Sequence, residues 1–160
     1  MTSAELKTMR EALGLSAKWV ADQVGVRLRT VQYWEAGRMP VPEDVALMLA
    51  RIDAQYERAV DEALAAYRDQ PNPPETVVLL RYRTDADLWH FRPDMKPLPA
   101  SSHAALLSRL RRALWTAGVP SVIEYMDTGE YLAWLGARQD SEAMRAAWSA
   151  GSPTSRTRPS

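Results

Sequence analysis

The chain has 160 residues, 46% of them hydrophobic, and its 20 basic and 20 acidic residues cancel to a formal charge of zero. That length and apolar content allow one domain or two small ones with a filled core, and the balance excludes a chain whose partners are chosen by net charge alone. No run reaches the length of a membrane span, the N-terminus lacks a signal peptide's basic-then-apolar order, and the absence of cysteine excludes disulfides and thiolate metal sites, so a cytoplasmic setting is expected.

The first predicted helix opens on a capping box, Thr2-x-x-Glu5, in which each side chain can satisfy the other's free amide. Leu6, Met9 and Leu13 form its buried stripe, and Gly14 ends it. Ser16 can cap a second helix. From Ser16 to Pro40 the sequence reads SAKWVADQVGVRLRTVQYWEAGRMP. Within it Ala21 is small enough for two helices to cross closely, and Gly25 can take the left-handed conformation that a tight inter-helix turn needs. Val20, Val24, Val31 and Trp34 are spaced to lock a following helix, at about 28–36, against the preceding one. That helix then turns Arg27, Arg29, Thr30, Gln32 and Tyr33 outward. Arg and Gln carry the planar donor groups that match guanine and adenine edges in a major groove. Lys18, Arg27, Arg29 and Arg38 face only Asp22 and Glu35 within the segment, whereas Glu43, Asp44, Asp53, Glu57, Asp61 and Glu62 follow it, so the basic face is local.

This pattern, with its closing W-E-x-G at Trp34, Glu35 and Gly37, resembles the Cro and lambda-repressor (XRE) family of helix-turn-helix domains over roughly residues 2–69. The stretch QYWEAGRMPVPEDV, from Gln32 to Val45, is similar to phage anti-CRISPR-associated repressors and their bacterial relatives. The resemblance implies a partner in double-stranded DNA. Arg27, Arg29, Thr30, Gln32 and Tyr33 are the expected base contacts, and Ser16, Lys18 and Arg38 the expected phosphate contacts. One departure is physical: Arg27 and Leu28 stand where the family often has a Ser or Thr cap, so the cap of this helix is weak.

Beyond Pro40 and Pro42 a long helical pattern runs to about Asp69. Val45, Leu49, Ile52, Tyr56, Ala59, Ala63 and Ala66 lie on one seam, as in a short coiled coil. Its first half can pack on the preceding helices and its second half either links two domains or meets a second copy, with Tyr56, Ala59 and Ala63 as dimer contacts. Gln70-Pro-Asn-Pro-Pro74 breaks the helix and marks a boundary between an N-terminal domain, 1–69, and a small α+β domain, 75–150, expected to serve dimerisation or partner binding and, because the seam is alanine-rich in its second half, to supply most of the dimer strength. There, Thr76–Arg83 reads as β-rich, Thr84-Asp-Ala-Asp87 as a turn, and Leu88–Phe91 as a short return strand. Pro93, Pro97 and Pro99 enforce a loop. A helix follows from Ser101 or Ser102 through Ala117, with a leucine stripe and Gly118 as its stop. Val122–Met126 and Tyr131–Leu135 flank Asp127-Thr-Gly-Glu130 and read as a hairpin. Asp140 is the expected cap of a last helix ending near Gly151, and residues 151–160 are expected to be disordered.

Opposite the leucine stripe, Ser108, Arg111, Arg112 and Trp115 fall together. A Trp among arginines can stack on a nucleobase, RNA included, pack against a partner, or lie under a loop of its own domain, the last being the commonest arrangement. Catalysis has little support. His90 and His103 are far apart and lack helical metal-pair spacing, and no phosphate loop or nucleophile–base signature appears. His90 reads as a half-buried strand residue and His103 as a packing or capping one. Asp85 with Asp87 is explained by a turn, and Glu124 with Asp127 by a solvent-facing strand. The expected fold is therefore a mainly α N-terminal helix-turn-helix domain with a long linking helix, followed by a small α+β domain. The expected function is a non-enzymatic regulator without metal or cofactor, a homodimeric (auto)repressor reading an inverted repeat. The alternative is an antitoxin or other interaction protein whose C-terminal domain, through Trp115, binds a partner protein while the N-terminal domain represses its operon.

Overall fold

A computed structural model describes residues 1–151. Four helices come first: α1 (Ser3–Ala12), α2 (Ala17–Val24), α3 (Leu28–Glu35) and α4 (Glu43–Arg68). The capping box forms as the sequence predicts, with the Thr2 hydroxyl accepting from the Glu5 amide at 3.1 Å and the Thr2 amide donating to Glu5 at 2.6 Å. Gly14 (φ 65°) and Gly25 (φ 69°) take the left-handed conformation after α1 and α2. α4 begins behind Pro42 with Glu43 and Asp44 in its first turn, where acids complement the helix dipole. It buries Val45, Leu49, Ile52, Tyr56 and Val60.

The second half is α+β. Strands β1 (Val77–Arg81) and β2 (Ser121–Tyr125) pair in parallel, from Val77 opposite Ser121 to Arg81 opposite Tyr125. The crossover between them holds α5 (Asp85–Phe91), a 3-10 turn (Pro93–Met95) and α6 (Ala100–Thr116). Helices α7 (Thr128–Leu135) and α8 (Glu142–Gly151) complete the described chain. α6 lies along α4, where Arg109 pairs with Asp53 at 2.7 Å and Glu57 at 2.9 Å.

Three sequence expectations are corrected. Leu88–Phe91 is helical rather than a return strand, because the Thr84 hydroxyl accepts from the Asp87 amide at 3.0 Å and starts α5. The expected hairpin is one strand followed by a helix, because Asp127 accepts from the Glu130 amide at 2.9 Å and starts α7. Asp140 does not cap the last helix. The Ser141 hydroxyl accepts from Met144, while Asp140 takes the Tyr131 hydroxyl at 2.5 Å and the Arg145 guanidinium. α6 starts at Ala100, its amide held at 2.7 Å by the Asp85 carboxylate. The tail expectation falls, from residue 152 on, outside the described residues.

The halves share one apolar cluster. Leu6, Leu13, Val31, Leu49 and Tyr56 belong to it together with Tyr82, Leu88, Phe91 and Tyr131. Polar contacts tie the same seam: Ser102 donates to the Leu13 carbonyl and Ser101 to the Gly14 carbonyl, both at 2.6 Å, and the Trp19 indole donates to the Pro97 carbonyl at 3.0 Å. The beginning of α6 therefore abuts the end of α1, and the loop before it abuts α2.

Candidate nucleic-acid interface

The candidate face is built from α2 and α3. Ser16 caps α2, its hydroxyl accepting from the Trp19 amide at 2.9 Å. Gly25 then turns the chain, and Val20, Ala21, Val31 and Trp34 are all buried between the helices. α3 starts at Arg27 without a side-chain cap bond, as the missing Ser or Thr predicts.

Burying Val31 and Trp34 turns the opposite face of α3 to solvent. Arg27, Arg29 and Gln32 are exposed there, and Thr30 and Tyr33 are half-buried beside them. The Arg29 Nε donates to the Tyr33 hydroxyl at 2.5 Å, and the guanidinium carbons of Arg29 and Arg38 lie 5.3 and 5.5 Å from the Tyr33 ring centre. Tyr33 thus gathers two guanidinium groups onto one side of the helix. Among the described residues none of Arg27, Arg29 and Arg38 makes an ion pair, so no carboxylate takes up their donors.

The two acids of the segment are neutralised. Asp22 pairs with Lys18 at 2.9 Å, an exposed i,i+4 contact worth a few tenths of a kcal/mol, about 0.3–0.5. Glu35 is held at 2.6 Å by the buried Arg10, whose Nη1 also donates to the Leu15 carbonyl at 2.7 Å. Sequence reasoning does not find this pair. Its one signal is Arg10 standing four residues after Leu6 on the buried stripe of α1. The outcome is a face on which Arg29 and Gln32 of α3 stand with Arg27 before the helix and Arg38 after it, all three arginines free of carboxylate partners.

The remaining site residues do not gather in one place. Tyr56 is 2% exposed and shares a 2.6 Å hydrogen bond with Ser102, so it faces the chain's own α6 and not a second copy. Ala59 and Ala63 are half-buried and line a cavity between α4, α6, β1 and α8. Ala59 and Ala63 thus face this cavity, while Ala66 at the end of the seam is exposed. Trp115 is 82% exposed, next to Arg111, Arg112 and Ser108, and no loop covers it among the described residues. Of the histidines, His90 is an exposed residue of α5 instead of a strand residue, and His103 packs in the interior against the Tyr82 ring at 5.3 Å.

Residues 3–67 match a family described as "Helix-turn-helix domain". These residues form a helix-turn-helix domain. The chain is also 41% identical over 69 residues to the Aca2 repressor of Pectobacterium phage ZF40, an alignment that takes in 41% of this chain and 60% of that relative. The resemblance to the XRE family, and to anti-CRISPR-associated regulators within it, holds for this domain. The family match ends before the Gln70–Pro74 break and covers under half of the chain. No helix among the described residues is long and apolar enough to cross a membrane.

Proposed function

We propose that the protein is a sequence-specific regulator of transcription that binds double-stranded DNA as a homodimer, represses its own or a neighbouring operon, and reads an inverted repeat through α3. The observation that carries this reading is the exposed face of α3, where Arg27, Arg29 and Gln32 stand free of acidic partners on a helix whose other face is locked by Val31 and Trp34. The printed name of the relative, a repressor, favours repression.

Arg29 and Gln32 are the principal base readers in this proposal, with Arg27, Thr30 and Tyr33 beside them. The hydrogen bond from Arg29 to Tyr33 holds the guanidinium before DNA arrives, which lowers the entropy cost of binding. Ser16, Lys18 and Arg38 stand at the margins and serve phosphates. The Ser16 hydroxyl accepts from Trp19 and keeps its own proton free to donate, while Lys18 must leave Asp22.

A single such domain reads few base pairs, so pairing is needed for affinity. With Tyr56, Ala59 and Ala63 facing inward, pairing falls to the C-terminal half. There Trp115, Ile123, Tyr125, Leu132 and Trp134 are the exposed large apolar residues. Half-sites about one helical turn apart, roughly 34–36 Å, are expected.

Selection of bound DNA from a random pool tests the reading and should return a two-fold symmetric site. Replacing Arg29 and Gln32 by alanine should weaken binding to that site by roughly 1–3 kcal/mol for each base reader removed and relax preference at the same positions. Arg38→Ala should instead weaken all sequences alike and flatten the salt dependence. Undiminished binding by the Arg29→Ala, Gln32→Ala double variant would refute the assignment of α3.

A further inference from the structure

A cavity of about 470 Å³ lies between α4, α6, β1 and α8, away from the α3 face. One wall is apolar, built by Ala59 and Ala63 of α4, Leu79 of β1, and Leu106, Leu107 and Leu110 of α6. The other wall is polar and sits inside the fold: Tyr82, His103, Arg145 and Ser149 are all buried, and Arg92 is half-buried. The volume lies in the range of small-molecule sites, and the combination of an apolar wall with convergent polar groups is their usual chemistry.

The polar wall has unused hydrogen-bonding capacity. His103 is 4% exposed, and its Nδ1 is the one buried side-chain nitrogen or oxygen without a hydrogen-bond partner among the described residues. Arg145 gives Nη1 to Asp140, and Arg92 gives Nε and Nη2 to Asp94. A guanidinium has five donors, so each keeps N–H groups in hand. Buried polar groups in folded proteins are almost always satisfied, so an orphaned nitrogen on a residue of the cavity wall calls for an explanation, and an absent partner supplies one. The only carboxylates lining the cavity among the described residues, Glu62 and Glu142, are exposed, so the buried part of the lining is donor-rich, its two guanidinium charges being paired from behind by Asp94 and Asp140.

We propose that this cavity is a binding site for a small amphipathic carboxylate, its apolar body against Leu79, Leu106, Leu107 and Leu110 and its carboxylate facing Arg92, Arg145 and His103. The site does not depend on the reading of α3. Burial, followed by the nearby Arg92 charge, lowers the His103 pKa to about 4, so the imidazole is neutral near pH 7 and can offer Nδ1–H as a donor.

The test uses the full-length protein with 4-phenylbutyrate as probe and 4-phenylbutan-1-ol as its neutral match. Calorimetry should show saturable binding of the carboxylate and binding of the alcohol about tenfold weaker or worse. Arg92→Gln, at a half-buried position, should lower carboxylate affinity by about tenfold and leave the alcohol unchanged. Ala63→Phe, which fills the apolar wall, should abolish both. Only two histidines are present, so the imidazole nitrogen resonances provide a readout on the unaltered protein. The His103 signal should shift on adding phenylbutyrate while that of His90 stays. The proposal is overturned by absence of saturable binding, by equal affinity for acid and alcohol, or by a His103 resonance that does not move.

Discussion

A Cβ built on Gly14 would lie 2.3 Å from the carbonyl oxygen of Ser101, and the residue's φ of +65° is itself unfavourable to any L side chain. Gly25 has the same backbone conformation, φ +69°, but open space around it. Gly25→Ala should therefore cost about 1 kcal/mol of backbone strain, and Gly14→Ala roughly 3 kcal/mol, because the Ser101 backbone must also move. Urea unfolding of the two variants separates these effects, and equal losses would show that the approach of α6 to Gly14 carries no energy. As helix stops both glycines are legible in the sequence. The second duty of Gly14 is not, because its neighbour lies 87 residues away along the chain. His103 makes the complementary case. Its pKa near 4 lies below the usual 6.5, so the unfolded chain takes up the proton first. Stability is then full above about pH 6.5 and falls as the pH drops toward 4, by roughly 2–3 kcal/mol at pH 4.5. The groups facing the imidazole are Tyr82, Arg92, Asp94 and Arg81, and the two arginines act in the same direction as burial. In His103→Leu the difference in unfolding free energy between pH 7 and pH 4.5 should shrink by about that amount, and an unchanged acid loss would place its origin elsewhere.

Helix boundaries are legible wherever capping chemistry stands out from turn chemistry. The Thr2–Glu5 box, Ser16, Gly25 and the proline pair before α4 all do what their residue types imply. The two tetrads that read as turns, Thr84-Asp-Ala-Asp87 and Asp127-Thr-Gly-Glu130, carry the same signal: a capping residue with an acid three positions later. Asp and Gly within them also suit turns, and short apolar runs after a turn look alike whether strand or helix. With the strands miscounted, the parallel pairing of β1 and β2 is out of reach, since it needs the whole α5–α6 crossover. The two readings of the second tetrad predict opposite behaviour at Gly129. In a hairpin turn its φ would be positive and a side chain would be harmful. In the first turn of α7 its φ is not, and a Cβ would meet only Asp127 at 3.5 Å. Gly129→Ala should accordingly be neutral or stabilising by up to about 1 kcal/mol, while Asp127→Ala should lose about 1 kcal/mol with the cap. Denaturation midpoints of the two variants, moving apart in sign, check the assignment.

At the scale of the molecule, a break at Gln70–Pro74 and a family match ending at residue 67 suggest an N-terminal domain that stands alone, yet the packing argues otherwise. Tyr56 is buried because Ser102 and α6 cover it, and the Leu13 carbonyl, at the end of α1, is satisfied by Ser102. Trp19 in α2 is anchored on the Pro97 carbonyl, and Arg109 clamps Asp53 and Glu57 of α4. A chain ending at Asp69 is deprived of all of these partners at once and exposes one side of its main apolar cluster. Each missing hydrogen bond is worth only about 1 kcal/mol, but uncovering a Tyr and the leucines behind it adds roughly 1.5–3 kcal/mol per side chain. For a domain whose whole stability is of the order of 5–10 kcal/mol, that is most of the margin. The 1–69 fragment should therefore keep much of its helical circular dichroism, because α1 and α2 are capped and all four helices are amphipathic, while losing cooperative unfolding and exchanging the core amides of Leu13 and Leu49 far faster than the full chain does. On the function proposed above, the same fragment should hold α3 less firmly and bind the selected DNA more weakly for that reason. A fragment that unfolds at the full chain's urea midpoint, with equal protection at Leu13 and Leu49, would show that α6 merely rests on the first domain and that the shared cluster contributes nothing to its stability.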